Sequence, residues 1–126
     1  MSDLELQYTR IAGFEHLYLE DSYVLDLVAR PGRFTVTAEI VLTAEHPDYR
    51  PPGVDEQYCF RRGHIEFASV RRLTWSGQGA PPAIDASGTV DYGTIDALRR
   101  VGGVTYLEGD FGMVQVESAA PTVILE

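Results

Sequence analysis

A chain of 126 residues fits one domain spanning residues 1–126, because a single core commonly serves roughly 100–150 residues. With 44% apolar and 23% charged residues it is expected to fold as a globule, which excludes a disordered or fibrous chain. A net charge of −9 has the wrong sign for a nucleic-acid backbone, which is bound through clustered basic side chains.

No apolar run approaches the roughly 20 residues of a membrane-spanning helix, and the acidic start Met1-Ser2-Asp3-Leu4-Glu5 lacks the pattern of a secretory signal. The expectation is a cytoplasmic protein with no membrane partner. The lone Cys59 offers neither an internal disulfide nor a cysteine-rich metal framework.

In chain order, the first element pair lies in residues 22 to 43. Phe34, Val36, Ala38, Ile40 and Leu42 alternate with polar residues, and only Val41 breaks the period of two. That pattern predicts a strand with one buried face. Upstream, Tyr23, Leu25, Leu27 and Ala29 alternate likewise, and Arg30-Pro31-Gly32-Arg33 supplies a turn. Closing the hairpin there sets Ala29 against Phe34, Leu27 against Val36, Leu25 against Ala38 and Tyr23 against Ile40, inward residue meeting inward residue.

A second hairpin is expected from Tyr58-Cys59-Phe60 through a turn at Arg62-Gly63 into Ile65-Glu66-Phe67. It would pair Phe60 with Ile65 and place Cys59 away from the core. Apolar parity changes near Ser69, predicting a bulge between Ala68 and Arg72, and Trp75 is expected to be mostly buried. Thr94 can cap a short helix over residues 94–101 in which Ile95, Leu98 and Val101 share a face. A third hairpin is predicted over Val104–Val116 with Gly109 in the first central turn position, and Thr122–Leu125 should form a last strand. The fold class predicted is mainly β: an antiparallel β-sandwich or partly open barrel of about seven to nine strands with one short helix.

Catalytic signatures are missing from the sequence. His16, His46 and His64 form no close metal-binding pair, and Asp85, Asp91 and Asp96 do not match the spacing of a calcium loop. No serine sits in a nucleophile elbow, and a chain without lysine cannot contain a P-loop. Cys59 lies near Arg61 and Arg62 but lacks a committed histidine base, so an inert thiol is expected. No catalytic residue, cofactor or metal is therefore assigned.

The stretches Tyr58-Cys59-Phe60-Arg61-Arg62-Gly63-His64-Ile65-Glu66-Phe67 and Tyr106–Val116 resemble small all-β bacterial domains of uncharacterised function, some grouped with immunity proteins of contact-dependent toxin systems. The resemblance implies a compact antiparallel fold and carries no catalytic residues over. An inhibitor of a basic toxin would profit from strong negative charge through steering.

Two functions from different classes follow. One is an acidic, non-catalytic binding protein, of the kind that inhibits a basic protein partner. The other is a small-ligand-binding protein or enzyme with a pocket at the end of the sandwich or barrel. The candidate partner-binding loop contains Asp48, Tyr49, Arg50, Asp55 and Glu56, stiffened by Pro47, Pro51 and Pro52, so that little entropy is lost on docking.

Overall fold

The computed structural model describes residues 4–126. Its strands are β1 (Glu5–Gln7), β2 (Leu17–Arg30), β3 (Arg33–Leu42), β4 (Cys59–Ala68), β5 (Arg72–Ser76), β6 (Ala83–Ile84), β7 (Val90–Asp91), β8 (Ile95–Val101), β9 (Val104–Gly109), β10 (Gly112–Glu117) and β11 (Thr122–Leu125). All pairings are antiparallel: one sheet runs β1-β8-β9-β10-β5, a second runs β11-β4-β3-β2, and β6 and β7 form a separate ribbon. The mainly-β antiparallel fold predicted from periodicity is the one observed.

The inward residues of the two sheets share one core. Phe34, Val36, Ala38, Ile40, Ile65 and Phe67 come from the second sheet and Ile95, Leu98, Leu107, Val114 and Val116 from the first, and all eleven are fully buried. Two corners join the sheets. At one, the Val24 amide donates to the Gly93 carbonyl at 2.9 Å and the Tyr92 amide to the Val24 carbonyl at 2.8 Å. At the other, β4 continues into β5 and β10 into β11, so a single antiparallel ladder bends from one sheet to the other. The Arg71 amide bonds to the Glu117 carbonyl, and the Ala119 amide to the Ala68 carbonyl, across the bend. This corner replaces the bulge expected at Ala68–Arg72, and Ser69 absorbs it with a φ of 54°, a left-handed conformation that is costly outside glycine.

The first hairpin turns at Pro31-Gly32 with Ala29 opposite Phe34 and Leu27 opposite Val36, as the alternation predicts. Further out the register departs from prediction. A bulge between Val24 and Asp26 puts Val24, not Leu25, against Ala38, and Tyr23 against Glu39. Tyr23 thereby moves to the outer face, since one inserted residue exchanges the faces beyond it.

The second hairpin does not exist. Residues 59–68 are one continuous strand, and Gly63 lies in its middle, opposite Ala38 on one side and Leu125 on the other. A Cβ on Gly63 would stand 2.7 Å from the Ile124 carbonyl oxygen, so this glycine serves a close approach of backbones and not a turn. Phe60 therefore pairs with Val41 on the outer face, and Cys59 pairs with Leu42 and packs against the core, reversing both expected orientations.

The helix over 94–101 is also corrected. That segment is β8, and a bulge between Ile95 and Ala97 lets Ile95 and Leu98 both face the core at a spacing of three. A bulged strand thus reproduces the i, i+3 signature of a helix. The third hairpin forms, with its turn at Asp110-Phe111 and the positive φ, 111°, at Gly112 instead of Gly109. The last strand forms as predicted. Trp75 is mostly buried, as expected, packed edge-on against Phe34 with ring centroids 6.0 Å apart, and its Nε1–H donates to the Phe111 carbonyl at 3.0 Å.

Candidate functional site

The outer face of β2-β3-β4 carries a cluster of aromatic rings. Residues 35, 37, 39 and 41 of β3 point outward, and the cross-strand neighbours of Val41 are Tyr18 and Phe60. Val41 is only 2% exposed although it lies outside the core, because these rings flank it. Tyr58 meets Tyr18 and Phe60 edge-on, and Tyr23 lies tilted against Phe60, each pair with centroids 6.0 Å apart. Tyr18 and Tyr23 remain 38% and 44% exposed. The opposite outer face, on the first sheet, is by contrast polar and self-paired: Arg99 stacks 4.3 Å from the Tyr106 ring centre and reaches Glu5 at 3.2 Å.

Carboxylates border the rings because β2 is irregular between Tyr18 and Tyr23, which puts Glu20 and Asp21 beside tyrosines. The Tyr58 hydroxyl donates to Asp21 Oδ2 and the Tyr8 hydroxyl to Glu20 Oε1, both at 2.5 Å. The hydrogen bond to Asp21 favours the neutral phenol and pushes the Tyr58 pKa up to about 12, and burial with the Glu20 bond pushes Tyr8 up as well.

The loop between β3 and β4 adjoins this cluster. Hydrogen bonds from the Tyr49 amide to the His46 carbonyl and from the Glu56 amide to the Gly53 carbonyl, both 3.0 Å, fold it locally. Asp48, Arg50 and Glu56 line one concavity of about 460 Å³, together with Pro51, Cys59 and Arg61. Asp55 is exposed and stands outside it. Tyr49 is half-buried against the core and lines a smaller hollow of about 210 Å³ with Tyr18, Val41 and Tyr58, so the loop aromatic is a packing residue that ties the loop to the rings. The Arg50 amide points at Cys59 Sγ, 3.5 Å away.

Sequence reasoning missed Tyr18, Tyr23, Tyr58 and Phe60. One signal pointed to them: Val41, the apolar residue that breaks the alternation of β3, marks an outward position that needs an apolar cover.

The histidines occupy three separate places. His46 Nδ1 accepts from the Asp48 amide at 3.0 Å, His64 Nδ1 shares a hydrogen with Thr37 Oγ1 at 3.0 Å, and His16 offers its carbonyl to Thr43. Among the described residues no group of three His, Cys, Asp or Glu side chains is arranged to hold a metal ion, and no helix is long and apolar enough to cross a membrane. Comparison with protein families, with characterised proteins and with solved structures gave no significant match.

Proposed function

We propose that this chain is an acidic, non-catalytic interaction protein that binds a basic protein partner, in the manner of an immunity-type inhibitor. The observation that carries this reading is the ring cluster on the outer face, in which Tyr18 and Tyr23 are exposed and Tyr58 and Phe60 half-buried, bordered by Glu20, Asp21 and Glu39. Exposed aromatic side chains supply large contact area at small entropic cost and dominate interface hot spots. Contiguous apolar surface on a soluble globule marks an interaction site. The surplus of carboxylates in a chain of net charge −9 raises the encounter rate with a cationic partner and rejects an anionic one.

Selection of displayed random short peptides on the immobilised chain tests the reading. Enrichment of Arg and Lys in the selected pool, with binding lost in Phe60→Ala and weakened by salt, supports it. A pool without basic enrichment, or one bound equally by Phe60→Ala, overturns it.

The small-ligand reading rests on the concavity of about 460 Å³ beside Arg50 and Arg61, whose size suits a ligand pocket. It expects a fragment screen to yield compounds that raise the melting temperature of the native chain but not of Arg61→Ala. Absence of such compounds removes it.

A further inference from the structure

Building on the basic-partner reading, we propose that the groove between the outer face of β2 and the β6–β7 ribbon seats an arginine side chain of that partner. The groove holds about 340 Å³; Tyr23 and Leu25 form its apolar floor, and Glu39, Asp85 and Asp91 stand on its walls. It is continuous with the ring cluster, since Tyr23 lies 6.0 Å from Phe60.

The ribbon that forms the far wall does little for the fold. Residues 81–90 are exposed throughout, and the cross-strand pair Ile84 and Val90 leaves 69% and 43% of those residues open to solvent. A two-stranded ribbon is marginal on its own, and its exposed apolar pair is free to meet another chain.

The occupant is chosen by charge and shape. Asp85 and Asp91 make no ion pair among the described residues, and Glu39 has only a loose one, 3.9 Å from the exposed Arg62. One oxygen of Asp85 is held by the Ser87 hydroxyl and by the Ser87 and Thr89 amides, and one oxygen of Asp91 by the Gly93 amide, which orients both carboxylates before a partner arrives. A guanidinium is planar and weakly hydrated; it stacks on an aromatic ring while its edge donates to carboxylates. A lysine ammonium keeps its hydration and gains less from an apolar floor.

The test titrates the isotope-labelled full chain with capped tri-arginine, tri-lysine and tri-citrulline peptides and follows backbone amide shifts. The expected result is that tri-arginine moves Tyr23, Leu25 and Asp91, tri-lysine binds more weakly and tri-citrulline not at all. Asp85→Asn with Asp91→Asn should weaken tri-arginine binding about tenfold, as should Glu39→Gln alone, while Glu117→Gln on β10 of the other sheet changes nothing. Shifts centred on residues 46–56, equal affinity for tri-lysine, or full affinity in the asparagine variant would each overturn the groove assignment and leave the basic-partner reading standing. If neither cationic peptide moves any amide, the basic-partner reading itself fails.

Discussion

The Ser22 hydroxyl takes the place of a strand partner for Val41. Its Oγ accepts from the Val41 amide at 2.9 Å and donates to the Tyr18 carbonyl at 2.8 Å. The residue is fully buried at the irregularity in β2, so one side chain satisfies two backbone groups that the broken ladder would leave unpaired. It also fixes the curve of β2 that sends Glu20 and Asp21 towards the tyrosines.

Ser22→Ala should therefore cost about 1–3 kcal/mol, the penalty of an orphaned buried donor. Urea unfolding measures the loss, and hydrogen exchange should show it first at the Val41 amide. A loss no greater than that of an exposed serine, such as Ser76→Ala, would remove this role.

Gly63→Ala pushes a methyl into the Ile124 carbonyl, which a Cβ would approach to 2.7 Å. The expected outcome is about 1–3 kcal/mol of destabilisation, with faster amide exchange along β11. Gly79→Ala, where a Cβ meets nothing within 4 Å, should leave the midpoint almost unchanged.

The Tyr58 phenol has a folded-state pKa of about 12 against an ordinary 10, chiefly through its bond to Asp21. A raised folded value means the contribution to stability is complete below pH 10 and is lost as pH rises from there through about 12. Ultraviolet titration of tyrosinate absorbance should show Asp21→Ala moving one phenol back towards the ordinary value. An unchanged titration curve would disconnect the pair.

Trp75 is mostly but not fully buried, as expected, so Trp75→Ala should cost about 2–3 kcal/mol, less than full burial of an aromatic implies. Trp75→Phe retains the packing on Phe34 but leaves the Phe111 carbonyl without its donor, at about 1 kcal/mol. Thermal unfolding of the two variants separates packing from hydrogen bonding.

Within the loop, stability and charge should divide. Tyr49→Ala should lower the melting temperature because the ring packs on the core, whereas Asp48→Arg, at an exposed position, should leave it unchanged. A partner bound through the loop would lose affinity in Asp48→Arg alone; unimpaired binding would exclude the loop as the contact.

The sequence by itself determined the antiparallel β class, the β2-β3 register near its turn, the existence but not the turn of the β9-β10 hairpin, and the last strand. These rest on local alternation and short turns, where neighbouring residues specify each other. Three features needed the tertiary structure. Gly63 looks like a turn residue until β11, some sixty residues later, crosses it. Ile95 and Leu98 look helical until a bulge in β8 turns both inward. Bulges in β2 decide that Tyr23, and with it the aromatic face, points to solvent. In β2 and β8 one inserted residue changes which face the strand buries, and at Gly63 the missing side chain admits the backbone of β11; each choice is made by packing against distant residues.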